Sequence, residues 1–313
     1  MKDAAAVTTS KKQSPSRWRT LAWAVPAALV GLLAVVLLAR WVRDLPAVAS
    51  FMADYPGGAP QPDATPEGIP GWLAWQHFFN AFFLVLLVRT GWLIHAGGRQ
   101  KGHWQRRNTG RFRTKGKPAK ISLNLWLHLA VDLFWVLNGL AFVVLLFATG
   151  QWMRIVPTDW SVFPNALSVL VQYASLDWPT EDGWVTYNAL QQLTYFVTVF
   201  VAAPLAVLSG LRMSPGWPKD NGALNRVLPI GLARALHFPV MIYFVAFTVS
   251  HVALVLATGA MDNLNHMYAA RDDGGWLGLA YFAGSVVVMV AAWVLAKPVF
   301  TQPVAALTGK VTR

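Results

Sequence analysis

The stretch Leu236-His237-Phe238-Pro239-Val240-Met241-Ile242-Tyr243-Phe244-Val245-Ala246-Phe247-Thr248-Val249-Ser250-His251 decides the fold. It carries no Lys, Arg, Asp or Glu. Continued to Thr258, it is long enough at ~1.5 Å per residue to cross a ~30 Å hydrocarbon core as one helix. Its two histidines are 14 residues apart. At ~100° per residue that spacing falls about 40° short of four turns, so both rings leave nearly one face, roughly 21 Å apart along the axis.

Five more runs of the same kind lie near 20–39, 73–95, 123–148, 188–211 and 276–296, rich in Leu, Val, Ala and Phe, with Trp and Tyr crowded at their ends. Such aromatic belts mark membrane interfaces. None of the runs shows the period-2 alternation of barrel strands. The expected fold class is all-α: a six-helix transmembrane bundle, with a four-helix core and one extra helix at each terminus.

Composition agrees. Of 313 residues, 55% are apolar and 13% charged, and mean hydropathy is +0.42, whereas a soluble domain is nearer 25% charged. There is no cysteine, which excludes disulfides, Fe–S clusters, thiolate zinc and haem attached through Cys-x-x-Cys-His. The seven histidines are then the main metal-ligand resource.

Lys and Arg in short loops collect on the cytoplasmic side. With the N-terminus inside, 21 of the 26 basic residues fall in inside segments and four outside, while eleven of 14 acids fall outside. The expected topology is multi-pass, N-in and C-in, in a bacterial plasma (inner) membrane. The first run is read as an uncleaved anchor rather than a signal peptide, because its apolar core is long and Arg40 and Arg43 interrupt the approach to Ala47-Val48-Ala49.

The expected organisation is a basic cytoplasmic tail over 1–18, an N-terminal transmembrane helix over 19–43, and an irregular Pro-rich external linker over 44–71. A membrane domain over 72–297 and a cytoplasmic tail over 298–313 complete it. Residues 1–16 and much of 99–120 are expected to be disordered, since the nine unbalanced positive charges of the second segment repel one another. That segment suits anionic membrane lipid, and no nucleic-acid partner is expected.

Ionisable side chains within spans invite a functional question. His237 lies near the inner end of its span and His251 near the outer end. By topology His128 shares the depth of His237, and His77 that of His251. Two haems stacked across a bilayer each need two axial imidazoles from different helices, and these four residues supply two such pairs. His95, 18 residues from His77 and on the same face, competes with His128 as inner ligand. His128, inside an apolar helix, is the preferred partner. His103 and His266 read as solvated loop residues.

These residues resemble the bacterial dihaem b-type cytochromes that anchor formate dehydrogenases, nickel–iron hydrogenases and thiosulfate-reductase-type molybdenum enzymes, a cytochrome b561-like group. Trp75-Gln76-His77-Phe78-Phe79-Asn80 through Arg89-Thr90-Gly91 is similar to the family's first core helix, Leu208-Ser209-Gly210-Leu211-Arg212-Met213-Ser214-Pro215 to the end of its third, and His237 through His251 to the paired ligands of its fourth. The resemblance covers roughly 72–297. It implies two haem b groups, on His77 with His251 and on His128 with His237, and a quinone site beside the first. The extra N-terminal helix departs from the family pattern.

Arg89 and Asp132 lie at similar depth. An ion pair between them, or Arg89 snorkelling to the inner surface, stands against a sharper reading: Arg89 on a haem propionate and Asp132 orienting a ligand or passing protons to a quinone. Asn80 could bond a quinone carbonyl or another helix. Asn138, Gln191 and Gln192 read as helix glue, and the external loop 151–187 as a cover over the outer mouth that shields the site or docks a partner, or simply as an interfacial loop.

No catalytic centre of the chain's own is legible. The expected function is electron transfer between quinone or menaquinone and a redox-enzyme subunit of molybdopterin-oxidoreductase or hydrogenase type, as in a respiratory chain. A stand-alone b561-like transmembrane oxidoreductase and a non-haem transporter or assembly protein are the rival expectations.

Overall fold

The computed structural model describes residues 17–97, 102–109, 113, 116–178, 183–218 and 220–312, with side chains from Leu21 onward. Of the expected basic tail, residues 1–16 lie outside the described residues. Among the described residues, six helices are long and apolar enough to cross a membrane: Leu21–Arg43, Gly71–His95, Leu123–Ala148, Ala189–Met213, Ile230–Ala257 and Leu277–Leu295. The protein is an all-α membrane bundle with six spans.

In chain order the elements are α1 (Arg17–Arg43), α2 (Pro46–Asp54), α3 (Gly71–His95), β1 (His103–Arg106), β2 (Lys120–Ser122), α4 (Leu123–Ala148) and α5 (Val162–Ala174). There follow α6 (Ala189–Phe196), α7 (Ala203–Met213), α8 (Gly222–Val227), α9 (Ile230–Ala257), α10 (Ala260–Leu264), α11 (Leu277–Leu295), α12 (Pro298–Thr308) and β3 (Gly309–Thr312). A π-helical turn over Val197–Ala202 joins α6 to α7 as one span.

Local chemistry sets several starts. The Ser122 hydroxyl accepts from the Leu125 amide at the head of α4, and Asn188 and Gln191 close a reciprocal capping box at the head of α6, each satisfying amides that a helix start leaves open. Pro46 and Pro298 stand in the first turns of α2 and α12, where a missing N–H costs nothing.

The core consists of two helix pairs, α3 along α4 and α7 along α9, with α11 against α3. Leu86, Leu87 and Val131 form one buried cluster, and Ala202, Val240 and Phe244 another. Trp135 packs against both and meets Phe244 edge-on at 6.0 Å, tying the pairs together at mid-span. Helix α1 stands aside, attached through α2 and α5 at one end, where Arg40 donates to the Ser175 carbonyl and Arg43 pairs with Asp177 at 2.6 Å.

That end of the bundle carries a folded cap. Its hub is Arg154, 1% exposed, whose guanidinium donates to the carbonyls of Gly68 (2.9 Å), Trp184 (2.9 Å) and Gly183 (2.7 Å) and lies over the Tyr187 ring. Burial pushes the Tyr187 phenol pKa up, so that ring meets the guanidinium neutral.

The opposite end carries a three-stranded antiparallel sheet in the order β2-β1-β3, with Trp104 opposite Ile121 on one side and Val311 on the other. The Trp104 indole donates to the Ala305 carbonyl of α12 at 3.0 Å. A side chain at Gly309 would collide with that indole.

Two expectations need correction. The linker over 44–71 is not wholly irregular, because α2 opens at Pro46. The basic segment 99–120 contributes β1 and the start of β2 among its described residues, since pairing of β1 with β2 on one side and β3 on the other supplies backbone partners. The segment 298–313, expected as a tail, carries α12 and, through Thr312, β3.

Candidate cofactor site

The four histidines fall into two facing pairs. The rings of His77 (α3) and His251 (α9) lie 6.1 Å apart, centre to centre, on the cap side. Those of His128 (α4) and His237 (α9) lie 6.3 Å apart on the sheet side. Two imidazoles bound to one metal ion from opposite sides stand roughly 6.2 Å apart, given a metal–nitrogen bond of about 2.0 Å and about 1.1 Å more to each ring centre. His95 stacks on Phe238 at 4.1 Å instead of facing His237. Among the described residues, no three His, Asp or Glu side chains converge as a metal cluster, so each pair is a two-imidazole donor set.

Two hydroxyls orient the sheet-side pair. Thr90 Oγ1 donates to the Leu86 carbonyl (2.8 Å) and Ser209 Oγ to the Leu205 carbonyl (2.6 Å). Each hydroxyl proton is thereby used, so Thr90 accepts from His128 Nδ1–H at 2.8 Å and Ser209 from His237 Nδ1–H at 2.9 Å. That tautomer leaves Nε2 with its lone pair, the form in which histidine ligates. Asp132 Oδ2 is 3.7 Å from His128 Nε2, too far for a hydrogen bond.

A glycine follows each hydroxyl. A Cβ at Gly91 would stand 3.5 Å from His128 Cε1, and one at Gly210 only 3.2 Å from His237 Cε1. Backbone of α3 and α7 therefore approaches the two rings where a larger residue would crowd them. Thr90-Gly91 on α3 and Ser209-Gly210 on α7 form a matched cradle about the sheet-side pair.

The cap-side pair is built differently. His251 stacks parallel on Phe247, with 4° between planes, and Tyr195 meets it edge-on. Tyr268 meets His77 edge-on at 5.4 Å, and His77 Nδ1 is buried without a hydrogen-bond partner. Aromatic walls hold these rings where hydroxyls hold the others.

Arg89 and Asp132 form no ion pair. The Arg89 guanidinium lies over the Trp293 ring at 5.5 Å, and Asp132 faces His128. Asn138 Nδ2 is buried without a partner. Gln192 Nε2 lies 3.5 Å from the Arg154 carbonyl. His266 is not a solvated loop residue. It is 7% exposed, bonds Asp272 at 2.7 Å and packs on Trp184, because a π-helical turn over Asn265–Ala269 folds the segment back onto α11. Sequence reasoning left Thr90 and Ser209 without roles.

Facing histidine pairs inside a helical membrane bundle fit the class of b-type-cytochrome-like membrane proteins. No family model matches the chain, and no solved structure matches it. Among curated proteins, it is similar to one from Azospira oryzae named "Putative protein-methionine-sulfoxide reductase subunit YedZ1", 28% identical over 199 residues, covering 59% of this chain and 88% of that protein. That name is of a reductase subunit, and not of the formate dehydrogenase, hydrogenase or thiosulfate-reductase anchors.

Proposed function

We propose that the protein is a membrane-integral b-type cytochrome that binds two haems, one between His77 and His251 and one between His128 and His237, and relays electrons across the bilayer between a quinone and a redox-enzyme partner. The observation that carries this reading is the pair of ring separations, 6.1 and 6.3 Å, at two depths of one bundle. Haem, when bound, supplies one-electron chemistry; the chain supplies position and tuning. His128 and His237 present Nε2 because Thr90 and Ser209 hold their Nδ1–H, while Phe247, Tyr195 and Tyr268 keep the other two rings in place and exclude water. The similarity to a reductase subunit favours a partnered protein over a stand-alone oxidoreductase. The proposed core domain is 72–297.

The direct test is a reduced-minus-oxidised absorption spectrum of purified protein with extracted haem counted per chain. Two b haems are expected; none, in folded protein made with ample haem, would mean that the histidines serve a transporter.

Thr90→Val removes the hydroxyl but keeps the branched shape. It is expected to weaken haem binding at the sheet-side site about 10–100-fold, the usual cost of losing a partner behind a ligand, with Thr90→Ser restoring it. Haem retention during dilution reads the change, and equal retention in all three proteins would count against the tautomer argument.

For orientation, we propose that the sheet side is cytoplasmic and that both termini lie there. A reporter fused after Lys117 should read cytoplasmic and one after Trp178 external; the reverse would overturn the topology drawn from the charge bias.

A further inference from the structure

A cleft of about 430 Å³ lies between α3, α9 and α11, lined among others by Val88, Arg89, Trp92, Met241, Val245 and Trp293. Its lining is apolar except for one guanidinium. Arg89 Nη1 is buried and has no hydrogen-bond partner, although buried donors are nearly always paired, and a guanidinium cannot shed its charge. The cleft thus offers a strong, unmet donor at the edge of a hydrocarbon-like wall.

Helix geometry separates this cleft from the histidine pair. Positions 89 and 91 of α3 are about 200° apart around the axis, and Gly91 faces His128. Arg89 therefore points away from the His128 ring, behind α3, which argues against a haem propionate as its partner. Met241 lies at the boundary: it lines the cleft, and its Sδ is 3.6 Å from where a Gly91 Cβ would be. An occupant would have Met241 and Gly91 between it and His128.

Depth narrows the occupant. Trp293 is two residues from the sheet-side end of α11, and Arg89 six and Trp92 three from that of α3, so the guanidinium lies toward the sheet-side end, while Met241 and Val245, deeper along α9, carry the apolar wall inward. A volume in the range of small-molecule sites, an oxygen-seeking donor at one end and an apolar trough at the other suit a membrane-borne molecule with a polar oxygen head on a hydrocarbon body. We infer that the α3–α9–α11 cleft is a binding site for such a molecule, its head oxygen accepting from Arg89; a quinone carbonyl and a phospholipid phosphate are its two sources. The inference does not depend on haem binding.

The test compares wild type, Arg89→Met, Arg89→Lys and Met241→Trp, the last filling the cleft with the guanidinium intact. Each protein is purified in mild detergent, and quinone, phospholipid and haem are extracted and counted per chain. Wild type is expected to retain one of the two candidates, Arg89→Met to lose it by about tenfold or more, Arg89→Lys to keep part of it, and Met241→Trp to exclude it. A fall in quinone identifies a quinone site and a fall in phospholipid a headgroup site. Unchanged quinone and phospholipid in Met241→Trp overturns the inference even if Arg89→Met fails to insert. So does loss of haem from Arg89→Met with both lipid-soluble molecules retained, because the guanidinium would then serve a propionate. Wild type without haem but with the cleft ligand would sink the cytochrome reading alone.

Discussion

His237→Ala is expected to leave one haem of two per chain, with the His77–His251 site still loaded, and His251→Ala is expected to leave the other. Both histidines sit on α9, but each meets an imidazole from a different helix, α4 on the sheet side and α3 on the cap side. The pairs are about 21 Å apart along α9, and additivity holds over such distances, so one loss does not carry to the other site. Alanine in place of histidine makes the span more apolar, which favours insertion, so the protein is expected to remain in the membrane. His95→Ala is the control: its ring stacks on Phe238 and faces neither pair, and both haems should remain. Two haems in either α9 variant would show that the ligand assignment is wrong.

Arg154→Met is expected to open the cap. The side chain is 1% exposed and donates to three backbone carbonyls, of Gly68, Trp184 and Gly183, which tie together segments more than 110 residues apart. Methionine is of similar length and gives none of these bonds. Hydrogen bonds to a charged donor are worth about 1.5–3 kcal/mol each and are not independent, so a total of about 3–5 kcal/mol is expected, as for other broken buried polar networks. Because Trp184 packs on His266, limited proteolysis should cut the cap rapidly in the variant and slowly in the wild type. Equal protection would mean that the hub is dispensable.

The bundle was legible because a span announces itself by length and apolarity, and five of the six observed spans begin and end within a few residues of the runs read from the sequence. The fifth starts earlier, at Ile230, since Pro229 caps it and Arg234 sits in its first turns without breaking it. The histidine pairing was legible from depth and from His237-x13-His251. What was not legible are contacts between helices far apart in sequence. Thr90 reaches His128 across 38 residues and Ser209 reaches His237 across 28, and a lone hydroxyl in an apolar run carries no sign of its partner. The sheet was missed because its strands are three or four residues long, too short to show a period, and lie in or beyond a run of positive charge.

The sheet also imposes an order on biogenesis. Strand β1 at 103–106 is central, yet one of its two partners, β3 at 309–312, is made about 200 residues later, with four spans synthesised in between. At the ~5–20 residues per second of translation, β1 waits on the order of 10–40 s for that partner. During that interval Trp104 lacks the Ala305 carbonyl and one edge of the strand lies open. Closure of the sheet therefore requires that the last span has already been made, so the protein carries within its own fold a marker of a completed bundle.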